Sequence, residues 1–180
     1  DELALKDVVV LGETHYEEKV QEAEAMVLEG LSMREPKFQL AWEFLNTNDQ
    51  MTIDEQTLKF TNDAISGSEL MTALFGNNGS NHEVYLPLFE VAKKQGLRVL
   101  GTNADRALKQ RLMAAGRDIL TTDSEVWPFS TTVASAPQGY FERFEEVMGG
   151  HADTQTLEKY YLAQYYTDAY MANPINEGMN

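Results

Sequence analysis

Four consecutive apolar, β-prone residues, Val8-Val9-Val10-Leu11, run straight into Gly12-Glu13-Thr14-His15. A run of that length and composition predicts a strand buried on both faces. It ends on a glycine, then presents a carboxylate, a hydroxyl and an imidazole within three residues, and helix is expected over 17–31. Strand, glycine-bearing polar turn and helix form the unit on which α/β proteins build sites, because ligands bind outside the carboxyl ends of parallel strands.

The same alternation continues along the chain. In the first helix Val20, Ala23, Val27 and Leu31 form the expected apolar stripe, and Pro36 closes the connection that follows. Residues 38–44 predict a second strand, and Thr52-Ile53-Asp54-Glu55 reads as a capping box opening a short helix. Gly76-Asn77-Asn78-Gly79-Ser80-Asn81 is a loop by composition. Helix is expected over 86–95 with Gly96 as its cap, then a third strand over 97–100. That strand leads into Gly101-Thr102-Asn103-Ala104-Asp105-Arg106 and a helix through Ala115. Residues 121–138 read as irregular, and a last helix is expected over 154–172. Repeated strand–turn–helix units imply an α/β fold, a mainly parallel β-sheet flanked by helices, in one domain over 1–180.

Charge restricts the partners. Lys and Arg total 14 against 29 Asp and Glu, a formal net charge of −15. Nucleic-acid binding relies on basic patches that release counterions, and this sequence has none. Unaided adsorption to anionic lipid is disfavoured for the same reason. No apolar stretch approaches the ~20 residues of a membrane-spanning helix. With no cysteine, thiolate chemistry, Cys-ligated zinc and disulfides are excluded.

Because parallel strands end on the same edge, Glu13 and His15, then Glu43, then Asn103, Asp105 and Arg106 are expected to gather there. Glu43 is flanked by Leu40, Ala41, Trp42, Phe44 and Leu45, which predicts a poorly hydrated carboxylate. Such a group must be paired, metal-bound or protonated. On the last helix Leu157, Tyr161, Gln164, Asp168 and Met171 share the stripe expected to be buried, so Gln164 and Asp168 either cap backbone groups or line a polar cavity. Tyr166 and Tyr170 fall on the opposite face, four residues apart, as exposed phenols suited to a protein contact or an axial iron.

Taken together, four segments resemble the ChaN family of haem-binding uptake proteins, in the superfamily that includes Tiki-type proteases and erythromycin esterases. They are Gly12-Glu13-Thr14-His15 followed by a helix carrying Gln21; Trp42-Glu43-Phe44; Tyr85-Leu86-Pro87-Leu88 with Ala92-Lys93-Lys94-Gln95-Gly96-Leu97; and Ala163-Gln164, Asp168 and Met171-Ala172. The sequence departs from the family pattern in two places. Glu17, Glu18 and Glu22 stand where further histidines are usual, and a final strand ending in Gly-x-x-His does not follow the Met-Ala helix. His82 and His151 do not stand in that context, so a fragment lacking the last strand is one expectation.

The resemblance implies haem binding in haem or iron uptake, and a periplasmic protein or lipid-anchored lipoprotein. Haem needs an axial donor, an apolar slot and donors for its propionates. Tyr166 or Tyr170 would supply the first and Lys159 or Arg143 the last, with a homodimer-shared site accounting for exposed tyrosines. The rival expectation is a hydrolase, in which Glu13 or Glu43 acts as general base and His15 positions water or binds Zn or Mn. Glu13, His15 and Glu43 would then be the metal ligands, and Asn103, Gln164 and Asp168 would join them as catalytic candidates.

Overall fold

The computed structural model describes residues 2–34, 38–133, 135–148 and 153–178; Pro36 and His151 lie outside the described residues. The chain gathers into two compact units, one built mainly of residues up to Leu45 and Asp49–Gly101, the other of Asn46–Asn48 and Thr102–Gly178.

The first unit opens with residues 6–17, which carry no helix or strand. The strand expected at Val8–Leu11 is not formed: Val8 is 42% exposed, Val10 84% and Leu11 43%. A strand exists only where its amides find a neighbouring strand, and a run of four apolar residues carries no information about that neighbour. The expected first helix is present as α1, Glu18–Ser32. Its buried stripe is Gln21, Ala25, Leu28 and Ser32, rotated from the stripe of Val20, Ala23, Val27 and Leu31 that the apolar spacing suggests. Two polar residues are tolerated inside because each has a partner there: the Ser32 hydroxyl donates to the Glu29 carbonyl at 2.7 Å, and the Gln21 amide donates to Glu13.

Two strands, β1 (Leu40–Asn46) and β2 (Val99–Asn103), pair as a parallel two-stranded sheet. This is the α/β arrangement expected, with a smaller sheet among the described residues. Between the strands run α2 (Gln50–Thr61), α3 (Gly67–Phe75), α4 (Gly79–His82) and α5 (Leu86–Gln95). The Gln50 side chain ties the start of α2 to the β2 edge, donating to the Val99 carbonyl and accepting from the Gly101 amide, both at 2.9 Å. The capping box lies at Ser66 and Glu69, at the start of α3, not at Thr52, which sits inside α2. Pro87 in the first turn of α5 and Gly96 in left-handed geometry at its end match the expected boundaries. The segment read as a loop, Gly76–Asn81, is a helical turn followed by α4. Gly79 makes that possible: a Cβ there would sit 2.7 Å from the Thr72 backbone, so only glycine lets α4 lie this close to α3. Helix α1 packs on α5, and the core of this unit centres on Trp42, Leu45, Ile53, Phe60, Leu70, Met71, Tyr85 and Phe89.

The second unit holds α6 (Arg106–Ala115), α7 (Ile119–Thr122), α8 (Tyr140–Met148) and α9 (Thr154–Gly178). Asp105 caps α6 by accepting from the Ala107 amide at 2.6 Å. Helix α9 packs on α6 over a core of Leu108, Leu112, Val126, Trp127, Tyr166 and Tyr170, and also contacts α8. The face of α9 expected to be exposed is therefore the buried one. Tyr166 and Tyr170 are both 0% exposed, whereas Gln164 is exposed and Asp168 half-buried. Tyrosine rings bring far more apolar area than Gln or Asp, and that area decides which face turns inward.

Candidate functional site

The polar turn after Leu11 is held by side chains from three parts of the first unit. Glu13, 12% exposed in its side chain, is the hub. It accepts from His15 Nδ1 at 2.7 Å, from the Tyr85 hydroxyl at 2.8 Å, and from the Gln21 amide. Gln21 comes from the buried stripe of α1, and Tyr85 from the helical turn Glu83–Tyr85 before α5. Burial acts to raise the Glu13 carboxyl, but the hydrogen bonds from His15, Tyr85 and Gln21, with Glu24 adding to them, outweigh it and hold the carboxyl below its ordinary value. Glu24, one turn along α1 from Gln21, moves the other way. Burial first, then the charge of Glu13, pushes it up to about 7. While protonated, below about 7, Glu24 is a fourth donor to the ionised Glu13. Burial, then the bond to Glu13, raises the Tyr85 phenol, which stays a donor.

Two side chains stand on this frame. His15 is about half exposed, with Nδ1 committed to Glu13 and its ring edge-on to Phe44 at 4.9 Å. A carboxylate behind one imidazole nitrogen fixes the tautomer and the ring orientation, the usual support for a metal-binding histidine. Tyr16 is 48% exposed and sits in left-handed backbone geometry, φ 63°. For a bulky residue that geometry is strained and persists only where the surroundings enforce it. Here the Tyr16 amide donates to the Tyr85 hydroxyl at 3.2 Å, while its ring packs against Phe44, Tyr85 and His82. Tyr16 also lines an open groove of about 460 Å³ with Glu18, Glu22, Glu83, Val84 and Pro87.

His82, at the end of α4, is the second histidine beside Tyr16 and Phe44 and is 8% exposed. Its ring stacks on Phe75 at 3.9 Å with 3° between planes, and Nδ1 donates to the Asn78 carbonyl at 2.9 Å. Its Nε2 faces the Tyr16 hydroxyl at 3.4 Å.

Of the expected site residues, Glu13 and His15 are brought together. Glu43 is not poorly hydrated: it is exposed, although Trp42 and Leu45 in the same strand are buried. Its immediate neighbours Trp42 and Phe44 point to the other side of the pleat. Among the described residues no three His, Asp or Glu side chains are grouped so as to hold a metal, so Glu13, His15 and Glu43 do not form the expected Zn or Mn site. Asn103 belongs to the second unit, where it accepts from Lys109 Nζ at 3.0 Å. Gln164 donates to Asp168 at 2.8 Å, and Asp168 also accepts from the Tyr140 hydroxyl. Tyr166 and Tyr170 are core residues, Tyr166 donating to the Val126 carbonyl at 2.6 Å, so a shared dimer site is no longer needed to explain exposed phenols. Lys159 and Arg143 are exposed on α9 and α8. Tyr16, Glu24 and His82 were missed as site residues. The adjacency of Tyr16 to His15 was the one signal in the sequence; the polar loop composition hid His82.

The family described as haem-binding uptake, Tiki superfamily, ChaN, matches residues 1–180. Among solved structures the chain is similar to ChaN of Campylobacter jejuni, described for cofacial haem binding, with a TM-score of 0.71 and 23% identity over 97% of this chain and 67% of that one. At that identity the likeness is one of fold. No curated protein matches the chain.

Proposed function

The chain belongs to the ChaN family of haem-binding uptake proteins in the Tiki superfamily, and from that premise we propose that it binds haem as cargo at the Glu13–His15–Tyr16 turn. The observation that carries the reading is the pairing of two half-exposed iron donors, His15 Nε2 and the Tyr16 phenol, over an aromatic floor that includes Phe44. Imidazole and phenol are both established axial donors to haem iron, and the ring edges beside them suit a flat apolar macrocycle. The donor set therefore fits haem. The groove carboxylates Glu18, Glu22 and Glu83 repel propionates, so they would not hold that end of the group.

The test is a hemin titration of the purified chain followed by Soret absorbance. A saturable, shifted band is expected, weakened about tenfold or more by a His15→Ala, Tyr16→Phe double variant. Tyr166→Phe and Tyr170→Phe leave it unchanged, because neither phenol reaches the surface. Absence of a saturable shift, or loss of it on changing the core tyrosines alone without loss of fold, would overturn the reading.

A further inference from the structure

We propose that Met26, Met33 and Met51 are sacrificial oxidation sites, at which an oxidant of the peroxide class is consumed before it reaches methionines that the fold needs. The chain carries eight methionines and no cysteine, so thioethers are its only sulfur. Their placement divides them. Met71 is fully buried in the core of the first unit, and Met113, Met148 and Met171 are half-buried in the second. Met26, Met33 and Met51, all in the first unit, are 74%, 70% and 87% exposed.

Packing does not account for the exposed three. None belongs to the core cluster of its unit or to the half-buried side chains packed against it. Met26 lies on the outward side of α1, whose inward face is filled by Gln21, Ala25, Leu28 and Ser32. Met33 caps the end of that helix, and Met51 stands in the first turn of α2. Helix formation does not single them out either, because leucine serves a helix as well as methionine does. What methionine has and leucine lacks is a sulfur that takes up an oxygen atom.

The step balances without a further reactant. The thioether sulfur attacks one oxygen of hydrogen peroxide, the O–O bond breaks and an S–O bond forms. The other oxygen leaves as hydroxide and takes the proton of the transferred oxygen to become water. Sulfur loses two electrons and the peroxide gains them. At the three exposed positions the new polar group stands in water and displaces no packing. At Met71 it would put a polar, chiral group into the cluster that holds Leu70, Tyr85 and Phe89. Sulfoxide is also a form that dedicated reductases reverse, so the exposed sites can be restored and used again.

Peptide mass mapping of the purified full chain after treatment with hydrogen peroxide tests the proposal; hemin is left out, so the outcome is independent of the haem reading. In excess peroxide Met26, Met33 and Met51 are expected to oxidise about tenfold faster than Met71. The thermal midpoint should hold while only these three are converted, and methionine sulfoxide reductases for both epimers should return them to their starting mass. The second arm gives one equivalent of peroxide per exposed methionine to the native chain and to the Met26→Leu, Met33→Leu, Met51→Leu triple variant. In the native chain that dose is taken up at the three sites. In the variant, sulfoxide at Met71, Met113 and Met171 is expected to rise about threefold or more, and the midpoint to fall below that of the unreacted variant. If the triple variant melts lower than the native chain before any oxidant is added, the three single leucine variants carry the same comparison. Equal oxidation of exposed and core methionines in the native chain overturns the proposal. So does a fall in its midpoint when only the three are converted, or unchanged sulfoxide at the remaining sites of the leucine variants.

Discussion

At the centre of the polar turn two carboxyls titrate in opposite directions, and each sets a slope of stability against pH. Glu24 is pushed from its ordinary 4.5 up to about 7 by burial and then by the charge of Glu13. A carboxyl raised on folding contributes stability that is full below 4.5 and is lost as the pH rises through about 7. Glu13, held below its ordinary value, contributes the reverse, present above that value and lost as the pH falls through its folded one. The expected outcome is a thermal midpoint that declines as the pH rises from 4.5 to about 7 in the native chain and stays flat there in Glu24→Gln. The glutamine side chain still donates to Glu13 but does not ionise. Melts showing equal slopes in the two proteins would remove Glu24 from this role. The residues that make this centre were half legible: Glu13 and His15 stood out as polar groups after an apolar run, whereas Glu24 and His82 became partners only through packing.

Between elements, the close approach of α4 to α3 depends on one missing side chain. Gly79→Ala would place a Cβ 2.7 Å from the Thr72 backbone and force the two helices apart, at a cost of about 1–3 kcal/mol. Gly30→Ala is the matched control inside α1, where nothing lies within 4 Å of the added carbon. It should stabilise by about 0.5–1 kcal/mol through helix propensity. Denaturant melts reading the two changes with the same sign would mean the contact is not structural. Boundaries of α5, α6 and the start of α9 were legible because proline, glycine and Asp caps act locally. The strand at Val8–Leu11 and the inward faces of α1 and α9 were not. Each depends on what lies opposite: a pairing strand for the first, the Glu13 carboxylate for Gln21, and the α6 surface for Tyr166 and Tyr170.

For the whole molecule, the α/β class with parallel pairing could be read from alternation alone, while the extent of the sheet could not. Net charge acts at this scale as well. At −15, the chain repels hemin, which carries two propionates, before any contact is made. Screening shortens from about 30 Å at 0.01 M salt to about 8 Å at 0.15 M. Stopped-flow association of hemin should therefore quicken as salt is added over that range. A rate that falls instead would reveal local cationic guidance strong enough to override the net field.

The polar turn is fastened to partners 66, 69 and 72 residues away, through His82, the Tyr16 amide and the Tyr85 hydroxyl. Closing so long a loop is costly in chain entropy, and the segment ahead of α1 contributes no helix or strand of its own beyond one turn at Leu3–Leu5. The leading segment is therefore expected to join its unit late in folding and to leave it early when that unit breathes. Amide exchange around residues 13–16 should outpace exchange in α5 and β2. Cargo seated on that turn would be held by a latch that opens well before the body of the unit unfolds, so release need not await denaturation.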